Sequence, residues 1–345
     1  MTKFVFCINA LDNSGPSKGL VALANGLCES SEVIIIYYKY QKYHEYSNFH
    51  SINKKIKILE GSRANIRALR ITQERTQVIS MCFRSDFLTL IYFRKFKKNI
   101  YIRGNLFKNY WHDYNVLGII LAIIHYQIAR FYDKILVLNL DEFTRLKKMF
   151  LKSTIVPNCL DETFHSEVSY LEKAEWDIIF VGNLNTRKRV HLIVQAVSEI
   201  KNNFGICLNA VIVGEGPQKA NIKALADKLK VGHLIDLRGS QNNPEYFLSR
   251  SKIFVLPSTS EGTSRAAMEA LWYGNFCVLS DIPSSKGLVV EGKTGFLFSN
   301  TDDLATKILE AYYQVNNSDY VRQNFLPEEL RQLGVVGSLN RLLRD

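Results

Sequence analysis

Short apolar runs recur along the chain, each followed by a polar loop and then by a stretch with helical spacing. Phe4 to Ala10 reads as a strand buried on both faces, because its apolar residues do not alternate with polar ones. Gly15 and Pro16 punctuate the next loop; Leu20, Leu23, Ala24 and Leu27 mark one face of a helix; Val33 to Tyr38 is a second strand. Ile56 to Gly61 and, more clearly, Gln77 to Phe83 continue the series. A strand beginning at Ile100 is expected to pass into a long aromatic and polar loop ending at Tyr114. Val116 to Phe131 predicts an unusually apolar helix, read first as a core helix and otherwise as a surface that dips into a membrane. Lys134 to Asn139 is a strand, Asp141 to Phe150 a short helix, and Thr154 to Phe164 a closing strand and loop, with a linker to about Glu175.

The second half repeats the alternation. Asp177 to Val197 reads as a strand ending at Gly182, a loop through Arg187, Lys188 and Arg189, and a helix. Leu208 to Ala226 is a strand, a G-x-G-P turn at Gly214, Gly216 and Pro217, and a helix. Leu234 to Ser240 is a strand; Tyr246 and Phe247 read as helix core; residues 302–345 are helical in composition. Strand, glycine loop, helix, strand, used twice, is the pattern of doubly wound α/β domains. G-x-G-x-x-G is absent, so no dinucleotide fingerprint is present.

The densest chemistry lies between Ser251 and Ser280. Ile253 to Pro257 is a buried strand, Ser258 to Ser264 a polar loop containing Gly262, and a helix capped by Thr263 or Ser264 should run to Gly274. A helix N-terminus opening at the carboxyl end of such a strand favours anions. Glu261 precedes that helix and Glu269 lies in it, about 7 Å beyond its first turn at roughly 1.5 Å per residue. A diphosphate at the helix start would place an attached ribose near Glu269, which suits a nucleoside-diphosphate sugar. A capped core helix with two surface glutamates fits the same residues.

Length and charge sharpen this picture. The 345 residues suggest two domains. Residues 1–160 hold 24 Lys and Arg against 11 Asp and Glu, whereas residues 161–345 hold 20 against 22. A basic half points to an anionic ligand or surface, with nucleic acid and an anionic membrane leaflet as candidates. Arg94, Lys95, Lys97 and Lys98, around Phe96, are the sharpest basic run, read as a solvated helix end or as a contact with anionic headgroups. The six cysteines have no C-x-x-C spacing and are expected to be reduced, mostly buried thiols. No signal peptide and no span-length apolar segment is evident, so a cytoplasmic protein is expected, at most peripheral on the inner face of the cell membrane.

Glu261 and Glu269 form an E-x7-E motif. Before it, in order, come Gly182, Leu184 and Lys188, then Gly214, Gly216 and Pro217; after it comes T-G-F-L, starting at Thr294. This arrangement resembles the donor site of retaining family 4 glycosyltransferases (glycosyl transferases group 1). Asn183 stands where that family has Arg, Arg189 where it has Gly, Cys159 where it has Gly after Asn158, and Phe276 where it usually has Pro. The resemblance implies the GT-B fold, two doubly wound Rossmann-like domains facing across a cleft: residues 1–165, residues 166–318, and a final helix over 319–345 crossing back to the first domain. It implies that Glu269 holds the ribose, that Thr263, Ser264, Lys188 and Arg187 hold the diphosphate, and that Glu261 contacts the donor sugar. Gly15, paired with Ser14, Gly182, Asn183, Gly214, Gly216, Gly239, Ser240 and Gly262 would complete the donor site, with His112 and Arg103 at the reaction centre.

The implied reaction is retaining transfer from a nucleotide sugar, a UDP-sugar first, to a glycan or lipid-diphosphate-linked acceptor in O-antigen, capsule or exopolysaccharide synthesis. No D-x-D is present, so no metal is required; no cofactor is expected, and no RNA-binding fingerprint supports a nucleic-acid partner. Peripheral contact with an anionic membrane would follow from the basic first half. The alternatives are a nucleotide-sugar 2-epimerase of the same fold and a basic, non-catalytic α/β module that binds nucleic acid.

Overall fold

Val5, Phe6, Ile34, Ile35 and Ile36 are buried from solvent, as unbroken apolar runs require when helices cover both faces of a sheet. In the computed structural model these runs are neighbouring parallel strands. The structure describes residues 2–12, 15–38, 52–69, 75–161, 174–317 and 319–344. The chain divides into two units, one of Met1–Phe164 with Glu328–Asp345, the other of His165–Pro327.

The first unit contains β1 (Lys3–Ile8), α1 (Gly15–Leu27), β2 (Glu32–Tyr37), β3 (Lys57–Glu60), α2 (Arg63–Ala68), β4 (Thr76–Met81), α3 (Phe83–Tyr92), β5 (Lys97–Ile102), α4 (Leu106–Tyr114), α5 (Val116–Ala129), β6 (Lys134–Val137), α6 (Leu140–Lys148) and β7 (Ser153–Ile155). Its sheet is parallel, in the order β3-β2-β1-β4-β5-β6-β7. The strand order reverses between β1 and β4, where a doubly wound sheet opens a crevice at its carboxyl edge. The last helix of the chain, α12 (Gln332–Arg344), packs on α1 within this unit. Val335, Val336, Leu339 and Leu343 join the core under β1 and β2, and Gln332 Nε2 donates to the Ala22 carbonyl at 2.6 Å.

The second unit contains β8 (Trp176–Val181), α7 (His191–Phe204), β9 (Ala210–Val213), α8 (Lys219–Lys228), β10 (Ile235–Gly239), α9 (Pro244–Ser249), β11 (Ser251–Leu256), α10 (Arg265–Trp272), β12 (Phe276–Ser280), β13 (Gly295–Phe298) and α11 (Leu304–Val315). Its parallel sheet has the order β10-β9-β8-β11-β12-β13, which reverses between β8 and β11. Both units are therefore Rossmann-like.

Four sequence expectations are corrected. The expected loop to Tyr114 is mostly helix α4, because the Asn105 side chain accepts from Lys108 N and caps it. The apolar helix α5 is not enclosed in the core: Gly118, Ala122, His125, Tyr126 and Ala129 face inward while Val116, Leu117, Ile120, Ile123 and Ile124 are exposed. Tyr246 lies on the outer side of α9, its ring under the Arg250 guanidinium at 3.8 Å, whereas Phe247 is buried. The C-terminal stretch is helical only in α11, α12 and short 3-10 turns. Most of the expected linker, 162–173, lies outside the described residues.

Candidate functional site

The carboxyl ends of β8 and β11 stand side by side at the switch point of the second unit, and two loops leave from them. One carries Gly182 to Val190, the other Pro257 to Ser264. Backbone and side chain stitch them together. Thr259 N donates to the Arg187 carbonyl at 3.0 Å, Arg187 Nη1 donates to the Ser260 carbonyl, and Arg189 Nε donates to the Pro257 carbonyl at 2.7 Å. Asn185 shapes the first loop: its side chain accepts from Lys188 N at 3.1 Å and caps a 3-10 turn over Thr186–Lys188. Arg187 to Arg189 are therefore not an exposed basic helix start. Lys188 is buried in the turn, and α7 begins only at His191. Arg189 holds a left-handed φ of 48°, the conformation that glycine adopts most readily. Its guanidinium also reaches Ser280 Oγ at 3.4 Å and so braces the ends of β11 and β12.

Those stitches deliver charge to one point. Lys188 Nζ lies 2.7 Å and Arg187 Nη1 3.2 Å from Glu261 Oε1. Burial alone would raise the Glu261 carboxyl, but the neighbouring Lys188 and Arg187 charges outweigh it and hold the group below its ordinary value. Two cations against one carboxylate leave an excess positive charge beside the start of α10. Ser264 caps α10, its Oγ accepting from Ala267 N at 3.4 Å, and Gly262 and Thr263 form the approach to that cap. One and a half turns in, the buried Glu269 accepts from Arg265 Nε at 2.9 Å. The two glutamates thus engage different cations, Glu261 those of the facing loop and Glu269 its own helix.

The glycines near the site interlock. Gly182 N donates to the Val213 carbonyl, and Gly214 N donates to the Gly239 carbonyl at 2.7 Å. A Cβ on Gly214, whose φ is 154°, would stand 1.8 Å from the Gly182 carbonyl oxygen; one on Gly216 would stand 2.5 Å from that of Leu184. These residues must be glycine for loop to pack on loop, whatever else they touch. Asn183 and Ser240 are exposed beside them.

Arg103 and Gly15 belong to the first unit. Arg103 follows β5, donates from Nη2 to Asn158 Oδ1, and lies over the Tyr101 ring at 5.2 Å. Gly19 of α1 makes room for it, since a Cβ there would meet Arg103 Nη2 at 2.4 Å. Gly15 is the exposed first residue of α1, while Ser14 lies outside the described residues. His112 falls in α4, and its side chain also lies outside what is described.

The model of the family described as glycosyl transferases group 1 matches residues 161–324, which contain the whole Glu261 cluster. Through these residues the chain is similar to that family, and its two Rossmann-like units have the GT-B fold. Over 333 residues it is 22% identical to a Campylobacter jejuni alpha-1,4-N-acetyl-D-galactosaminyltransferase named for a diphospho-undecaprenol-linked GalNAc acceptor, covering 88% of this chain and 87% of that protein. Other curated relatives match over 45–56% of their own length. Among solved structures, S. aureus TarM superposes with a TM-score of 0.79 at 11% identity, covering 100% of this chain and 99% of that one. Anabaena HepE in complex with UDP and glucose superposes with a TM-score of 0.74 at 11% identity, covering 100% of each. At such identity these two likenesses speak to fold alone.

Within the family segment, sequence reading missed Asn185, Arg189 and Arg265. Asn185 carried a signal, a capping side chain three residues before Lys188, and Arg265 carried another, the i,i+4 spacing to Glu269. At Arg189 the glycine of the resembled family signals the left-handed turn but not the partners, Pro257 and Ser280, which are distant in sequence. Among the described residues no group of three or more His, Cys, Asp or Glu side chains converges as a metal site.

Proposed function

We propose that the chain is a retaining glycosyltransferase that moves a sugar from a UDP-sugar to a glycan acceptor carried on a lipid diphosphate, in bacterial surface-polysaccharide synthesis. The observation that carries this reading is the pairing of Lys188 and Arg187 with Glu261 beside the capped start of α10, inside the family segment. A diphosphate matches the excess positive charge and the helix dipole together. Glu269 then accepts from ribose hydroxyls, and Glu261 meets the donor sugar. Arg103 and His112 serve the acceptor side. In the transfer, the bond from the anomeric carbon to the β-phosphate oxygen breaks as the acceptor oxygen bonds to that carbon on the same face. The acceptor proton passes to the leaving diphosphate. The protein positions the reactants and stabilises the charge that develops on the diphosphate, with no metal in the scheme.

The acceptor and the setting follow from the basic first half and from the lipid-linked substrate named for the Campylobacter relative. The test is a thermal-shift panel of UDP, UDP-sugars and GDP-sugars on the wild type and Glu269→Ala, followed by NMR of the product anomer with and without EDTA. Stabilisation by UDP-sugars that Glu269→Ala loses is expected, because a ligand bound only to the folded state raises apparent stability. The product should keep the donor's anomeric configuration, with EDTA having no effect. An inverted product, or Glu269→Ala binding donor as well as wild type, would sink the respective assignment. Conversion of the donor without any acceptor would replace transfer by epimerisation.

A further inference from the structure

Helix α5 carries six large aliphatic residues on its outer side, at i, i+1, i+3, i+4, i+7 and i+8: Val116, Leu117, Ile119, Ile120, Ile123 and Ile124. They are exposed by 67%, 59%, 38%, 52%, 47% and 43%. That spacing places them on one stripe. The opposite face is fixed to the unit: His125 bonds to Asp86 of α3 and Tyr110 of α4, and the Tyr126 hydroxyl donates to Glu142 of α6. The stripe is therefore a presented surface. Trp111 and Tyr114 of α4, just before the turn into α5, are exposed as well. Isolated exposed apolar side chains are ordinary, but a contiguous stripe of this kind marks an interaction surface.

Charge selects the partner. Between Phe83 and Tyr132 the sequence has eight Lys and Arg and two Asp. Of the two acids, Asp86 is buried, whereas Arg84, Arg94, Lys95, Lys97, Lys108 and Arg130 are exposed. A second copy seated on the stripe through a two-fold contact would bring this basic surface against itself. An anionic lipid leaflet offers an apolar interior for the stripe, headgroups for the basic side chains and an interface for Trp111 and Tyr114. Fourteen residues at about 1.5 Å each reach about 21 Å, short of the roughly 30 Å hydrocarbon core. No helix among the described residues is long and apolar enough to cross a membrane. We propose that the outer stripe of α5, in a segment rich in exposed basic side chains, is a docking face for an anionic bilayer, with α5 lying in the plane of the interface.

This deepens the reading of a lipid-linked acceptor and rests on it for its biological purpose, but it is testable without donor or acceptor. The purified full chain is co-sedimented with phosphatidylglycerol–phosphatidylcholine vesicles and with phosphatidylcholine vesicles, at low and high salt, alongside Ile120→Glu/Ile124→Glu and Arg94→Glu/Lys95→Glu. Size-exclusion chromatography and thermal melts accompany each protein. The expected result is binding that favours the anionic vesicles and falls with salt, reduced by about tenfold or more in the isoleucine double variant with its melting temperature unchanged. The basic-to-acidic variant should lose most of the salt-sensitive part. Wild type that ignores both vesicles, or an isoleucine variant that binds as well as wild type, overturns the proposal. So does a wild-type dimer that the isoleucine variant converts to a monomer while vesicle binding is absent. Lost vesicle binding with intact stabilisation by UDP-sugars removes the docking face and leaves the transferase reading standing.

Discussion

Lys188 Nζ stands 2.7 Å from Glu261 Oε1, and the same oxygen lies 3.2 Å from Arg187 Nη1, so one carboxylate serves two cations of unequal burial. The Lys188 side chain is 11% exposed and that of Arg187 28%. Removing one partner of a buried pair costs about 3–5 kcal/mol when the remaining charge is left uncompensated. Because Arg187 stays on Glu261, Lys188→Ala should cost less, about 2 kcal/mol, and Arg187→Ala about 1 kcal/mol or below. Urea unfolding of the two variants reads the difference. An Arg187→Ala variant less stable than Lys188→Ala would reverse the ranking of the two pairs.

The same cluster predicts a pH dependence. Glu261 has a folded-state pKa below its unfolded one, because the Lys188 and Arg187 charges outweigh the cost of its burial. A carboxylate of that kind contributes stability in full above its unfolded value, and loses it as pH falls through the folded one. The melting temperature of the wild type should therefore fall on the acid side of the ordinary carboxylate range. Glu261→Gln should be less stable near neutrality and show a shallower acid limb. Melting curves from pH 7 down to about 3, where carboxylates of this kind take up protons, make the comparison. Parallel acid limbs would mean that Glu261 carries no shift.

The alternation of strands and helices is legible in sequence because burial on both faces leaves unbroken apolar runs such as Ile34 to Ile36. The start of α10 is legible because a cap and a stop, Ser264 and Gly274, are local signals. What fails is non-local. A helix apolar all round reads first as buried, and periodicity does not say which side of α5 is exposed until His125 is seen to face Asp86. Helix α4 is hidden by its polar and aromatic composition, since its cap, Asn105, looks like one more loop residue. The partners of Arg187 lie on the loop after β11, far away in sequence, so spacing alone yields a candidate anion site and not the carboxylate that already occupies it.

Glycines 214 and 15 should separate structural from functional need. At Gly214 a Cβ would lie 1.8 Å from the Gly182 carbonyl oxygen, and φ is 154°, so Gly214→Ala must push two loops apart. A loss of about 2 kcal/mol or more is expected, from overpacking and backbone strain together. At Gly15 nothing lies within 4 Å of the Cβ position, and the residue opens α1. Gly15→Ala should be neutral or stabilise by about 0.4–1 kcal/mol. If transfer activity nevertheless falls in Gly15→Ala, the glycine is needed for close approach of a substrate. Full activity would remove Gly15 from the donor site.

His125 and Asp86 hold α5 to α3, and their removal should be strongly non-additive. Asp86 is 1% exposed, and its Oδ2 lies 2.7 Å from His125 Nε2. Burial pushes the Asp86 carboxyl up, while the hydrogen bond and charge of His125 pull it partly back. His125→Leu leaves that carboxyl buried without its partner and strips the Tyr110 hydroxyl of its acceptor or donor at Nδ1, 2.8 Å away. The expected loss is about 3–5 kcal/mol, and Asp86→Leu should be similar. Replacing both removes the two desolvated groups together, so the double variant should be destabilised by clearly less than the sum of the two singles. Chemical denaturation of the four proteins closes the cycle. Additive losses would show that the two side chains act independently, and that packing at Gly118 and Ala122 alone seats the inner face of α5.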